Sequence, residues 1–421
     1  MKSIPFLSTE QVLQIQSEFD TPVYVYDQAT LEAQADKVMA FPNAFGLIAR
    51  YAMKSSPSSA VLRVLSDRGL HIDASSGHEA ERAMRAGIPA ENIQITAQQL
   101  PDNLADLLDR GCRFNACSIN QIEAAGSVRP GIDISLRINP GVGSGHSNRT
   151  NVGGPAASFG IWHEYLHLAL EMAKKHSLTV KRMHTHIGSG SVPEVWERVA
   201  LMSLGICSQI KGATSLSLGG GYKVGRVKGE VSTDLQKIGL HIVEAFRSHA
   251  ANHGQELELE VEPGTYLVAN ACALVSTAID VVDTGVEGYR FIKVDTGMTE
   301  LLRPSLYGAQ HPIETVALDD GERPLHEYVV AGHCCESGDV LTPAPDDPEG
   351  LEPRLLFETK PGDVVVIGGA GAYCSGMSAK NYNSFPEAAE VMLMNDGSFE
   401  LIRKRQTLDQ MLQNEVVPAS L

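Results

Sequence analysis

From residue 28 to about residue 270, short apolar runs alternate with amphipathic stretches. Eight of the runs read as strands: Phe45–Met53, Leu70–Ser75, Ile93–Ala97, Arg113–Ser118, Asp133–Asn139, Arg182–Ser189, Ser215–Gly219 and Glu256–Glu262. The segments between them carry a helical period. Leu166, Ala169, Leu170 and Ala173 fall at i, i+3, i+4 and i+7. Leu235, Ile238, Ile242, Ala245 and Phe246 do the same, with Ser232 or Thr233 as the expected cap. Eight strand–helix units predict a (β/α)8 barrel, with a doubly wound sheet as the rival arrangement.

Past residue 270 the helical period fades. Cys272–Asp283, Arg290–Asp295, Tyr328–Ala331, Asp363–Ile367 and Glu390–Met394 read as strands, and Asn395-Asp-Gly397 is a hairpin turn into Phe399–Ile402. The expected fold is therefore α/β plus all-β. A TIM-like barrel spans 28–270, and a β-sandwich or β-barrel domain is formed by 1–27 and 271–421. The early Val23–Tyr26 strand belongs to the second domain, so the barrel is inserted in it. Residues 404–421 read as a terminal helix. The glycine-rich stretch 141–158 is too long for an ordinary connection, and reads as a lid, an inter-subunit loop or a surface loop.

Composition narrows the partners. A net charge of −17 over 421 residues opposes binding to nucleic acid or an anionic membrane. No apolar stretch is long enough to span a bilayer, and the N-terminus lacks a signal-peptide core. Seven cysteines without a CxxC motif suggest neither a disulfide framework nor a zinc site. The cytoplasm is the expected compartment.

In a barrel, polar residues at the C-terminal ends of strands converge on one site. Lys54, Asp73, Arg137, His186, Ser189, Gly219, Gly220, Gly221 and Glu262 all fall at such ends. A lysine there can act as a nucleophile toward an aldehyde cofactor if its surroundings desolvate it. Three glycines let backbone N–H groups converge on a phosphate, although a flexible turn has the same composition. His184 and His186 share one strand face; they suit a metal, a ring stacked on an aromatic cofactor, or plain burial. A metal would need carboxylates that the sequence does not place nearby. Glu262 could pair with a protonated ring nitrogen. Together these parts suit pyridoxal 5'-phosphate.

The same residues carry a family resemblance. Tyr51-Ala-Met-Lys54, Asp73-Ala-Ser75 with Gly77 and Glu79, His186-Ile-Gly-Ser189, Gly219–Gly221, Glu262-Pro-Gly264, Asp295-Thr-Gly-Met298, Arg303-Pro-Ser-Leu-Tyr307, Cys335-Glu-Ser-Gly-Asp339, and Gly371-Ala-Tyr373 with Met377 and Tyr382-Asn383 occur in order along nearly the whole chain. The chain resembles the fold-type III pyridoxal-phosphate decarboxylases, and among them the branch acting on meso-2,6-diaminopimelate. The resemblance implies that Lys54 bonds the cofactor aldehyde and His186 stacks on its ring. It implies that Ser189, Gly219, Gly220, Gly221 and Tyr373 hold its phosphate, that Asp73 contributes to the cofactor site, and that Glu262 pairs with the ring nitrogen. It implies further that Arg303 and Tyr307, with Tyr373, bind the substrate's distal carboxylate and Glu336 its distal amine. Cys335 is the expected proton donor, with Lys54 as the rival. A homodimer is implied, with Cys335 and Glu336 reaching into the partner's site. The chain departs from the family at Thr265, where an arginine is usual; Arg149, Arg303 or a backbone amide could compensate. That departure leaves open a sister decarboxylase acting on an ornithine- or arginine-like substrate. A pyridoxal-phosphate-binding homologue without decarboxylase activity is a further alternative.

Overall fold

The computed structural model describes residues 4, 6–142, 153–186, 193–319 and 321–421. They form two compact units: Leu31–Gly225 with Val231–Leu267, and Met1–Thr30 with Arg226–Glu230 and Val268–Leu421. The first strand, β1 (Val23–Asp27), belongs to the second unit.

The first unit is a closed barrel of eight parallel strands. They are β2 (Leu47–Ala52), β3 (His71–Ala74), β4 (Ile93–Ile95), β5 (Arg113–Ala116), β6 (Asp133–Asn139), β8 (Thr179–Thr185), β9 (Ser215–Ser217) and β10 (Glu258–Val261). A two-residue strand, β7 (Ile161–Trp162), pairs beside the end of β6. The ring closes where β10 pairs β2 and β5 pairs β6. The expected barrel is thereby present, and the rival doubly wound sheet is excluded. The Arg182–Ser189 run begins earlier than expected, at Thr179, and the described strand ends at Thr185. Alternate residues divide the strands into two buried sets. Ile72, Ile95, Phe114, Leu136, Met183, Leu216 and Leu259 are apolar, whereas Arg50, Asp73, Asn115, Ser135, Arg182, His184, Ser217 and Glu260 are polar. The polar set faces inward, because Asn115 on β5 reaches His184 on β8 across the intervening β6.

The helix at Leu235–His253 is capped by Asp234, whose carboxylate accepts from Lys237 N at 3.0 Å. The expected caps have other work: the hydroxyls of Ser232 and Thr233 accept from Gly225 N and Lys223 N.

The second unit is built on a nine-stranded sheet. Its strands include β11 (Cys272–Asp283), β12 (Arg290–Val294), β13 (Ile313–Val316), β14 (Leu325–Ala331), β17 (Arg354–Phe357), β18 (Val364–Ile367), β19 (Ala389–Leu393) and β20 (Phe399–Arg403); β15 (Pro343–Ala344) and β16 (Asp347–Leu351) form a separate ribbon. β1 lies between β11 and β19, and all five of its residues are buried. Val23, Val25, Val275, Val366 and Val391 pack with Val12 and Ile15 of the Thr9–Phe19 helix. The terminal helix is much shorter than expected. It runs only over Leu408–Leu412, starting at a Thr407 capping box. Few apolar residues beyond it are buried, so a longer helix would gain nothing from packing.

Candidate active site

The barrel interior holds two arginines and two glutamates. Arg182 forks between Glu260 Oε2 through Nε and Glu262 Oε1 through Nη2, both at 2.6 Å, and Nη1 donates to Ser135 Oγ at 3.0 Å. Arg50 Nε donates to Glu260 Oε2 at 2.9 Å. All four side chains are almost completely shielded. Ions removed from water are tolerated only when paired and hydrogen-bonded, and the set is internally balanced.

Glu262 sits just past the end of β10. Its Oε1 also accepts from Ser217 Oγ at 2.8 Å, and its Oε2 lies 3.2 Å from His184 Nε2. Burial disfavours charge on this carboxyl, but His184 and the Arg182 guanidinium outweigh it and hold Glu262 well below the usual range. The hydrogen-bond network assigns the His184 tautomer. Asn115 Nδ2 donates to His184 Nδ1 at 2.8 Å, so Nε2 carries the proton that faces Glu262. The same amide donates to Thr96 Oγ1, which donates to Asp73 Oδ1 at 2.6 Å. Burial and the Glu262 charge push Asp73 up to about 7. A continuous chain of donors thus joins one ionised and one easily protonated carboxyl.

Lys54 lies on the single turn Met53–Ser55 that follows β2. Ala52 N donates to Pro263 O at 3.1 Å, tying this strand end to the segment that carries Glu262. Ser55 Oγ donates to Ala52 O, and Tyr51 OH to Ser56 O, which fixes the turn. Lys54 itself is exposed, so burial does not provide the desolvation argued from the strand position. Its charge acts on two nearby acids, Asp73 and Glu79.

Two of the three glycines are required by close contacts, and Gly221 by its φ of +102°. A Cβ on Gly219 would lie 2.6 Å from His186 Nδ1, at φ +72°, and one on Gly220 would lie 2.2 Å from Glu262 O. Gly220 N donates to His186 Nδ1 at 3.1 Å. Burial, with the Arg137 charge, holds His186 well below its usual range, so the ring is neutral. Ser189, Arg149 and most of the 141–158 stretch lie outside the described residues. The carboxylate a metal would need is in fact nearby, since ligand atoms of His184, His186 and Glu262 lie within 4.8 Å of one another. Two of the three are already committed, Glu262 to Arg182 and His186 Nδ1 to Gly220.

The second unit carries the other sequence candidates. Arg303 and Tyr307 begin and end a five-residue helix, four positions apart and so on one face. Tyr373 is half-buried at φ +57°. Cys335 and Glu336 lie on an exposed turn. Asp339 holds that turn by accepting from Cys334 N at 2.9 Å and Met298 N at 2.6 Å, and Asn383 Oδ1 accepts from Cys335 N at 2.7 Å. Burial and Asp339 push the neighbouring Cys334 up to about 12, leaving it a thiol.

These groups fit pyridoxal phosphate on the chemistry of the donor set. An anionic Glu262 suits a protonated ring nitrogen, a neutral His186 ring suits stacking, the glycine cradle suits a phosphate, and Lys54 offers an accessible amine. A family model described as "Pyridoxal-dependent decarboxylase, pyridoxal binding domain" matches residues 31–269. The chain belongs to the pyridoxal-dependent decarboxylases. Its relatives within the family include diaminopimelate decarboxylase of Escherichia coli K12, 35% identical with 98% of this chain and 97% of that protein covered. The enzyme of the same name from Methanothermobacter thermautotrophicus is 32% identical, with 97% and 95% covered. A crystal structure of diaminopimelate decarboxylase superposes with a TM-score of 0.91 at 33% identity, covering 98% of each chain. The Helicobacter pylori enzyme complexed with L-lysine gives 0.81 at 25% identity, covering 95% of this chain and 98% of that one.

Several supporting residues escaped the sequence reading: Arg182, Glu260, Ser217, Asn115, Thr96, Asp339 and Asn383. A signal existed for those on strands, because polar residues at alternate positions within buried runs mark an interior that must satisfy its own hydrogen bonds. Asp339 and Asn383 fell inside quoted motifs, but nothing in the spacing assigns them the neighbouring amides.

Proposed function

We propose that this chain decarboxylates meso-2,6-diaminopimelate to L-lysine and CO2, with pyridoxal 5'-phosphate as cofactor. The observation that carries the proposal is Glu262, a shielded carboxylate kept ionised beside a glycine cradle at the mouth of the barrel. Bound pyridoxal phosphate supplies an electron sink for the pair left behind when CO2 departs. Lys54 would hold it through Nζ, His186 would lie on its ring, and Gly219, Gly220, Gly221, Tyr373 and Ser189 would take its phosphate. Asp73 lies on the relay that orients His184 toward Glu262. Glu262 would keep a proton on the ring nitrogen, and Arg182 and Ser217 keep Glu262 charged for that task.

Arg303 and Tyr307 would bind the distal carboxylate, a guanidinium fork being the natural match for it. Glu336 would take the distal ammonium, and the Cys335 thiol would return a proton to the carbon that lost CO2. Cys335 and Glu336 are both exposed on a turn fixed by Asp339 and Asn383. That exposure supports a homodimer in which each turn serves the partner's site. Among the described residues no helix is long and apolar enough to cross a membrane. All seven cysteines are free, which suits a reducing cytoplasm. Incubation with pyridoxal phosphate and meso-diaminopimelate is expected to release CO2 and L-lysine in equal amounts; preferential turnover of ornithine or arginine would overturn the substrate assignment.

A further inference from the structure

We propose that Arg226 is a second arginine for the substrate's distal carboxylate, acting together with Arg303. The inference rests on the reading of the substrate as a diamino dicarboxylic acid. Arg226–Glu230 interrupts the barrel sequence but belongs to the β-rich unit, which also carries Arg303. Two successive carbonyls after β18 organise the place. Gly369 O accepts from Arg226 Nε at 3.2 Å, and Gly368 O accepts from His311 Nδ1 at 2.9 Å. The arginine lies flat against Gly369, where a Cβ would come within 2.8 Å of Arg226 Cδ, so this glycine is needed for the side chain to lie there.

The cluster is built for an anion. Arg226 Nη2 and Arg303 Nε are inaccessible to solvent and have no hydrogen-bond partner. Neither guanidinium forms an ion pair among the described residues. Glu230, the acid acting on Arg226, is exposed, and its carboxylate accepts from the Arg226 backbone N–H. Burial and the Arg303 charge push Arg226 down to about 9, so it stays protonated at neutral pH. His311 is 1% exposed, and burial and both arginines keep it neutral, so it neither adds to the positive charge nor offsets it. Two cations brought together with donors unspent are a standing electrostatic cost. A carboxylate removes that cost, because it can accept from both forks at once.

The test compares Arg226→Gln and Arg226→Lys with the wild type, each loaded with pyridoxal phosphate. Steady-state kinetics are measured on meso-diaminopimelate and on D-lysine, which has the reacting D-centre but no distal carboxylate, and cofactor affinity is measured separately by absorbance titration. For Arg226→Gln, kcat/KM on diaminopimelate is expected to fall on the order of 100-fold, mostly through KM. Any activity on D-lysine and the cofactor Kd should stay within about twofold, and Arg226→Lys should recover part of the loss. Equal losses on both substrates with weakened cofactor binding would assign Arg226 to the cofactor phosphate and overturn the proposal. An unchanged kcat/KM on diaminopimelate would overturn it too, while leaving the function intact. A wild type active on D-lysine but not on diaminopimelate would overturn the function itself, and with it any distal carboxylate for Arg226 to bind.

Discussion

Replacing Arg182 by methionine tests whether the charged barrel interior stabilises the protein as its geometry implies. Methionine keeps most of the volume and removes three hydrogen bonds, to Glu260, Glu262 and Ser135. The interior then changes from balanced to a net charge of one carboxylate. Glu260 retains Arg50 Nε at 2.9 Å, and Glu262 retains Ser217 Oγ at 2.8 Å. Breaking one side of a buried ion pair costs about 3–5 kcal/mol, and with a urea slope near 3 kcal/mol/M that is a midpoint shift of about 1 M or more. Urea unfolding by far-ultraviolet circular dichroism measures the shift, and the variant should also lose decarboxylase activity as Glu262 becomes easier to protonate. Adding Glu260→Gln removes the surplus charge while leaving an acceptor for Arg50, so the double variant should be more stable than Arg182→Met alone. A shift worth less than about 1 kcal/mol, or a double variant weaker than the single, would refute the reasoning. The acid limb follows from the same residues. Burial opposes charge on Glu260, but Arg182 and Arg50 bring its pKa down to about 2 from the model-compound 4.5. That stability is fully present above pH 4.5, is lost as pH falls toward 2, and should shrink in Arg182→Met.

Lys54→Ala should lose both the near-visible absorbance of bound cofactor and all turnover; residual turnover would point to another lysine. Asp73 has the opposite linkage sign to Glu260. Its folded-state pKa near 7 exceeds the ordinary 3.8, so between those values the folded chain holds a proton that the unfolded chain has released, and stability falls as pH rises. Asp73→Asn should flatten the stability profile between pH 4 and 7, and an unchanged slope in thermal melts would show that the raised pKa is not real. Glu336→Ala should raise KM for diaminopimelate while leaving the cofactor absorbance intact; an unchanged KM would remove its role toward the distal amine.

The barrel was legible because its strands are apolar runs at regular spacing, and a parallel sheet buried on both faces reads that way. The positions of Lys54 and Glu262 followed from the same rule, since strand ends face the site. The polar interior was harder to read. Arg182, His184 and His186 alternate along one strand, as do Glu258, Glu260 and Glu262 along another. Taken one at a time, Arg182, Glu258 and Glu260 look like exposed charges. Only the parallel pairing of β8, β9 and β10 puts the two sets on one face, and only then can Arg182 reach two glutamates across the intervening strand. The terminal helix was misread for the opposite reason. Residues 404–421 contain helix-forming side chains, but the sequence does not reveal that they lack a surface to pack on, and packing decides whether so short a helix persists. Arg226 is the clearest limit. It stands in Tyr222-Lys-Val-Gly-Arg-Val-Lys228, which reads as a solvated basic loop. What sets it apart from Lys223 and Lys228 is a carbonyl 143 positions away and the missing Cβ that lets it approach. Spacing along the chain records which residues share a strand face, but carries little trace of a contact between two loops. A substrate-binding residue that depends on such a contact becomes visible only after folding.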